Sequence, residues 1–428
     1  MQLQVEQLFT RSMNYKDTLE FALELDKNDP LRSYRNEFYV PHEKNGREHI
    51  YMCGNSLGLQ PKRTKEFLNQ ELKDWANLGV KGHFHANTPW MPYHEFLTES
   101  YAKIVGAKTS EVVAMNTLTV NLHLMMVSFY RPTKKRNKII IEADAFPSDI
   151  YAITSQIKFH GFDPEESLIK LTPREGEFTI QIEDIEKIID VQRESIALIM
   201  LGGVNYYTGQ VFDMKSITRM GHNKGIIVGY DLAHAAGNVK LELHKWGVDF
   251  SIWCSYKYLN SGPGSVGGAF IHDKHHNSGL PRFAGWWGHN KEERFEMTDT
   301  FNPINTVEAW QLSNPPILSL AAIRASLSIF DEIGMDKLIS KSKDLTDYLL
   351  YLLNTIKTDR IEIITPEERG CQLSIRAINA DKNLFDKITE KGVIADWREP
   401  DVIRIAPVPL YNSYKDVFIF CKILEEVL

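Results

Sequence analysis

Lys257 lies between Tyr256 and Tyr258 in the stretch DFSIWCSYKYLNSGPGSVGGAFIH, which runs from Asp249 to His272. It follows an apolar run and precedes a glycine-rich segment. A lysine there can simply end a strand and reach solvent. Held among polar partners out of bulk water, its amine is instead a nucleophile able to condense with a carbonyl. Other residues invite the same double reading. Asp231 and His234 stand in DLAHAAG; Phe146, Pro147, Ser148 and Asp149 stand in AFPSD; Leu118 and Thr119 stand in MNTLTVNLH. Taken singly, the aspartates and the threonine read as helix caps, the histidine as structural and the phenylalanine as core. Taken together they offer an amine, two carboxylates able to hold a proton, an imidazole, an aromatic face, and hydroxyls beside backbone N–H groups.

The elements around them alternate between strand and helix. NKIIIEAD, SLIKLT, IALIMLGGV, IIVGYD, FSIWCS and GGAFIH read as strands. PSDIYAITSQIKFHG, which opens with proline, TIQIEDIEKIIDVQ and DMKSITRMGHNKG, which ends at Gly225, read as helices. Strands this uniformly apolar are buried on both faces, so the fold class is α/β with a mostly parallel central sheet flanked by helices. In such a sheet ligands gather outside the carboxyl ends of the strands. Asp231, the AFPSD segment and Lys257 each follow a strand, and Leu118 and Thr119 open a helix, so all of them belong to that one edge.

One cofactor uses every group in the set. Pyridoxal 5'-phosphate takes a lysine amine on its aldehyde, a carboxylate against its pyridine nitrogen, a ring on its face, and hydroxyls with helix N-terminal N–H groups on its phosphate. A dinucleotide is the competing ligand, and it asks for GxGxxG between an early strand and a helix. The cluster SGPGSVGG comes late and runs into a strand, so its glycines are better explained by backbone turning close to the cofactor.

Composition closes off other classes. A net charge of -7 and no basic run longer than Lys134-Lys135-Arg136 argue against nucleic acid as a partner. No apolar run reaches the roughly 18 residues of a membrane helix, and the start MQLQVEQLFTRSMNY has no long apolar core of a signal peptide. Cys53, Cys254, Cys371 and Cys421 form no CxxC pair, so no metal site is expected and a reducing cytoplasm is. From about Leu318 the texture changes to a nearly continuous helix over 317–356. Shorter strands (IEIIT, CQLSIRA, VIRIAP) and a last helix, YKDVFIFCKILEEVL, follow. Three parts are expected: an N-terminal arm with a helical segment over 1–50 that packs on the small domain, a large cofactor-binding domain over 51–316, and a smaller α+β domain over 317–428.

The chain resembles the kynureninases, fold-type-I enzymes dependent on pyridoxal phosphate. The likeness is carried in order by YMCGNSLGLQPK, GHFHANTPW, NTLTVNLHLMM, EADAFPSDIYA, YYTGQVFD, GYDLAHAAGNV, WGVDFSIWCSYKYLNSGPG, GWWGH, LSNPPIL, ERGCQLS and RIAPVPLYNS. It implies hydrolysis of the Cβ–Cγ bond of L-kynurenine or L-3-hydroxykynurenine. The products would be alanine with anthranilate or 3-hydroxyanthranilate, within tryptophan catabolism and NAD precursor synthesis. It also implies that Lys257 holds the cofactor and moves the Cα proton, while Asp231 keeps the pyridine nitrogen protonated with Asp149 able to share that work. His234 would lie at the ring edge, and Tyr256 would bond the phosphate and relay a proton. Trp286 and Asn314 match positions that reach in from the neighbouring subunit of a homodimer. Arg404 matches the arginine for the substrate carboxylate, and Ser56 falls in a matching substrate segment. His83, Ser313 and Asn314 are expected at the aryl end, as in members favouring the 3-hydroxy substrate. One departure is Gly202, where a hydroxyl residue is expected, with water or Thr208 as the replacement. Two rivals stay open on sequence: a cysteine desulfurase, for which Cys371 would have to be reactive although its strand context reads as buried, and a non-catalytic binding module of the same fold.

Overall fold

The computed structural model describes residues 14–378 and 382–428, so the first thirteen residues of the expected arm lie outside it. The large sheet has seven strands: β1 Val112–Ala114, β2 Lys138–Glu142, β3 Leu168–Leu171, β4 Ile196–Gly202, β5 Ile227–Asp231, β6 Phe250–Trp253 and β7 Gly268–Ile271. Their order is β1-β7-β6-β5-β4-β2-β3, and only β7 runs against its neighbours. The Ile, Ala, Leu and Met side chains of β4 are all buried, as expected of a strand covered on both faces.

Register sets the carboxyl edge. Gly202 of β4 stands opposite Asp231 of β5, and Glu142 ends β2 on the other side of β4. Helix α1 (Leu118–Phe129) follows β1, and helix α2 (Pro147–Phe159) follows β2 with proline in its first turn, where a missing N–H costs nothing. The strand β1 is too short to carry an alternation of its own, and the sequence pattern does not reveal it.

The long helical stretch is two helices, α3 (Ile317–Ile333) and α4 (Met335–Thr355). They part at Gly334, whose φ of +82° is left-handed backbone that a side chain resists. A small antiparallel sheet follows, built from β8 (Ile361–Ile363), β9 (Leu373–Ala377), β10 (Asp396–Arg398) and β11 (Val402–Ile405) in the order β10-β11-β9-β8. The last helix, α5 (Tyr414–Val427), covers it, with the capping box of Ser413 and Asp416 fixing its start. Ala22, from the helix Leu19–Asn28, joins Leu345, Leu349 and Phe420 in the core here. Ile50 and Tyr51 pair in parallel with Val393 and Ile394, and the Ala406 N–H donates to Met52, which brings Ser56 beside β11.

Candidate active site

Lys257 sits in the turn after β6 and is half-buried, with its Nζ 2.8 Å from Nε2 of His234. Burial, and then the charge of Lys257, hold the His234 imidazole well below its ordinary range, so it is neutral. The lysine can only donate here, so Nε2 accepts and the proton belongs on Nδ1, a buried atom without a partner. On the other side Nζ lies 5.8 Å from the centroid of the Phe146 ring. The backbone under the lysine is closely packed: the Gly58 N–H donates to the Tyr256 carbonyl at 2.8 Å, and a Cβ on Gly58 would overlap the Lys257 carbonyl and Asn260.

These groups line one cavity of about 210 Å³. Leu118, Thr119, Phe146, Ser148, Asp149, Asp231, His234, Tyr256 and Lys257 all border it. At one end Thr117 caps α1 without a side-chain bond, leaving the helix N-terminus uncapped. The hydroxyls of Thr119 and Ser148 meet there at 2.8 Å. A Cβ on Gly267, close by, would overlap the Trp253 carbonyl at 2.5 Å, so the backbone can pass there only as glycine. Phe146 is 46% exposed and turned edge-on to Tyr206, not packed in the core. Pro147 is exposed and serves α2 rather than the cavity wall.

Asp149 and Asp231 face each other as a hydrogen-bonded pair. Burial and then the charge of Asp231 push Asp149 well above the usual carboxylate range. Burial raises Asp231 as well, opposed by the bond from Asp149, by the Ala233 N–H at 2.7 Å and by the charge of Lys257. The pair therefore holds one proton, residing on Asp149 and donated to Asp231. Oδ1 of Asp149 is buried and unpartnered.

The cavity also contains groups that sequence does not single out, Glu142, Val204, Asn205, Tyr206 and Ala233, together with Gly202. Glu142 ends β2 just as Asp231 ends β5, but the apolar run NKIIIEAD reads on past it, so the strand end is placed two residues later. Gly202 belongs to the wall after all, and Thr208 does not stand in for a hydroxyl there. Thr208 is buried and donates to Asn205 at 3.1 Å, while the Glu142 carboxyl accepts from the Gly202 N–H at 3.2 Å.

Arg404 is 1% exposed and lies outside the cavity lining, behind Tyr206. Its position directly across from Asp396 on the neighbouring strand makes a 2.6 Å ion pair. Its guanidinium also donates to the Tyr206 carbonyl at 2.7 Å and to Ser56 at 3.2 Å, leaving Nε buried and unpartnered. The expected carboxylate-binding arginine thus already holds a carboxylate of this chain, and Asp396 is a neighbour that sequence did not suggest. Trp286, His83, Ser313 and Asn314 are not brought to the cavity within one chain. Trp286 is 41% exposed and donates to Arg294; Ser313 and Asn314 are exposed. His83 is half-buried, with Nδ1 3.0 Å from the Val80 carbonyl.

The residues present fit pyridoxal phosphate. An uncapped helix N-terminus with two hydroxyls suits its phosphate, Asp231 its ring nitrogen and Phe146 its face. The two orphaned buried atoms, Nδ1 of His234 and Oδ1 of Asp149, are polar groups short of a partner that a bound polar ring could supply. Cys371 does not suit a desulfurase. It is 1% exposed, two residues before β9, and burial pushes its thiol up to about 12.

Comparison with known proteins agrees. The family described as Kynureninase C-terminal domain matches residues 338–424. A kynureninase of Koribacter versatilis is 57% identical over 411 residues, covering 95% of this chain and 97% of that protein. Another from Flavobacterium psychrophilum is 55% identical over 421 residues, covering 97% and 99%. Among solved structures, a cysteine desulfurase from Thermococcus onnurineus superimposes with a TM-score of 0.74 at 17% identity, covering 88% of this chain and 94% of its own. That likeness establishes the fold. Identity above one half along nearly the entire length decides the family: the chain belongs to the kynureninases.

Proposed function

We propose that the protein hydrolyses the Cβ–Cγ bond of L-kynurenine or L-3-hydroxykynurenine to alanine and the matching anthranilate, in the catabolism of tryptophan. It is an enzyme of the kynureninase family and uses pyridoxal phosphate. The observation that carries the reading at the level of the site is the Lys257–His234 contact at 2.8 Å in one cavity with the Asp149–Asp231 pair.

When bound, the cofactor supplies an electron sink for charge that develops on the substrate carbons. Each remaining role falls to the chain. The Lys257 Nζ would hold the cofactor's aldehyde, and it is the amine placed to accept the substrate's Cα proton. His234, neutral and accepting from that Nζ, keeps it aimed. Asp231, with its partner proton on Asp149, holds positive charge on the ring nitrogen. The N–H groups of Leu118 and Thr119, with the Thr119 and Ser148 hydroxyls, take the phosphate, and Tyr256 lies at hand to bond it and to relay a proton. Phe146 covers the ring face. Arg404 takes the substrate carboxylate by turning its fork from Asp396, with Ser56 beside it.

Two further readings rest on family resemblance and on the exposure of the residues concerned. Trp286 and Asn314 complete the cavity of a second copy, so the working unit is a homodimer. His83, Ser313 and Asn314 meet the aryl end of the substrate. We place the enzyme in the cytoplasm; among the described residues no helix is long and apolar enough to cross a membrane.

Incubation of the purified protein with L-kynurenine, L-3-hydroxykynurenine and L-cysteine, each followed for aromatic product, alanine and sulfide, tests the reading. Aromatic product with alanine supports it. Sulfide from cysteine, with no aromatic product, overturns it in favour of the desulfurase.

A further inference from the structure

The cavity contains a third carboxyl that none of the roles above uses. Glu142 is 4% exposed, ends β2, and lines the space shared by Lys257 and the two aspartates. Its seat exists because residue 202 is glycine. An added Cβ there would lie 3.1 Å from Oε1 and 3.7 Å from Oε2 of Glu142, so any side chain would press on the carboxyl. In the room so left, Oε1 accepts the Gly202 N–H at 3.2 Å. The register that sets Gly202 against Asp231 puts Glu142, Gly202 and Asp231 on three successive strands, in the row from which a ring in the cavity is addressed.

A second charge in that row is costly. Burial is the largest effect on Glu142 and pushes it up to about 8, with the charges of Asp231 and Asp144 acting in the same direction and the Gly202 N–H opposing. The other ionisable groups facing this space are Asp149, Tyr206, His234, Tyr256 and Lys257. At neutral pH Glu142 is therefore a carboxylic acid. With Oε1 accepting from the Gly202 N–H, the other oxygen is the one left to carry the proton.

We propose that Glu142 is a further cofactor-binding residue: a proton-bearing carboxyl, seated in the notch opened by Gly202, that donates a hydrogen bond to whatever polar oxygen the bound cofactor presents on that side. The inference rests on pyridoxal phosphate as the ligand. It predicts a division among isosteres. Glutamine keeps a donor and an acceptor in the same shape and has no charge to gain. Leucine keeps the bulk and loses both. Ionisation of the native residue removes the donor and adds a charge beside Asp231.

The test is titration of apoenzyme with pyridoxal 5'-phosphate, read by absorbance and by quenching of tryptophan fluorescence, for the parent, Glu142→Gln and Glu142→Leu between pH 6.5 and about 9.5. At pH 7 the glutamine variant should bind within about threefold of the parent, and the leucine variant about tenfold or more weakly. As pH rises past 8 the parent should lose affinity relative to the glutamine variant, because only the parent ionises there. Parent-like binding by Glu142→Leu overturns the proposal. So does a glutamine variant that has already lost affinity at pH 7, or one whose pH curve runs parallel to the parent's. Should Glu142→Leu fail to fold, as judged by circular dichroism of the apoprotein, the glutamine curve alone decides. Failure of the parent to bind the cofactor at any pH is a different result, and it counts against the cofactor reading instead.

Discussion

The Lys257 amine donates to the neutral imidazole of His234 across 2.8 Å, and the far nitrogen of that imidazole is buried without a partner. A neutral acceptor aims the amine without the desolvation cost of a second buried charge. Among the described residues, Lys257 is the one lysine on the cavity wall.

Lys257→Ala is therefore expected to abolish the visible absorption of the bound cofactor and to lower turnover about 10³-fold or more. Borohydride reduction of the parent followed by peptide mapping checks the assignment. A pyridoxyl label on another lysine would sink it.

The acid pair makes a prediction about the apoprotein. The folded state holds a proton on Asp149 at a pH where the unfolded chain has lost it, since burial and Asp231 raise Asp149. Where the folded state binds more protons than the unfolded state, stability falls as pH rises. The window opens at the ordinary carboxylate value and closes at the raised one. Apoprotein carrying Asp149→Asn, which mimics the protonated acid, should lack this decline and be more stable than the parent at neutral pH in urea unfolding. A variant curve parallel to the parent's would mean that the pair carries no shared proton.

Gly58 tests the platform rather than the chemistry. A methyl group at residue 58 has no room beside the Lys257 carbonyl and Asn260. Gly58→Ala should cost about 1–3 kcal/mol of stability and weaken cofactor binding, because the overlap falls on backbone that cannot rotate away. Parent-like melting and cofactor titration would show that the lysine turn is free to shift.

How far the site can be read from sequence follows from where each residue stands. Lys257 and Asp231 are legible because a strand end is a rule of position, and the apolar runs before them mark those ends. Leu118 is legible by helix start, although the short strand before it is not. Glu142 escapes because its role depends on the absence of a side chain at residue 202, sixty positions away, and no local pattern joins the two. Asp396 escapes for a similar reason: only the register of β10 on β11 sets it against Arg404. The break at Gly334 is hidden within helix-forming neighbours on both sides. Trp286 and Asn314 carry no signal in periodicity at all, and a single chain leaves them outside the cavity.

Arg404→Ala should raise KM sharply, by an amount worth about 2–5 kcal/mol, as expected when a buried carboxylate is left without its cation. Arg404→Lys should recover only part, since a point charge lacks the planar fork that now spans Asp396, Ser56 and the Tyr206 carbonyl. Because Asp396 already holds the guanidinium, Asp396→Asn should behave differently from either. It releases the fork toward substrate and so lowers KM, while destabilising the free protein by leaving a buried cation unpaired. Kinetics and urea unfolding of the three variants together separate the roles; substrate binding unchanged in both arginine variants would place the carboxylate elsewhere.

The aryl end carries the last prediction. The contact of His83 Nδ1 with the Val80 carbonyl at 3.0 Å fixes the proton on Nδ1 and leaves Nε2 as an acceptor. Asn314, exposed in one chain, can both donate and accept. If the two meet the substrate across a dimer, as proposed, a hydroxyl at ring position 3 finds partners that the unsubstituted ring leaves empty, and unpaired polar groups weaken binding. L-3-Hydroxykynurenine should therefore have the higher kcat/KM, by about tenfold or more. His83→Phe or Asn314→Thr should narrow that gap or reverse it, chiefly by slowing the hydroxylated substrate. The dimer enters through a mixing experiment. Lys257→Ala and Asn314→Thr chains, each assayed alone and then exchanged into mixed dimers, should regain up to one native cavity in two if Asn314 acts in trans. Equal kcat/KM for both substrates in the parent would refute the hydroxyl pocket, and an absence of recovery on mixing would return Asn314 to its own chain.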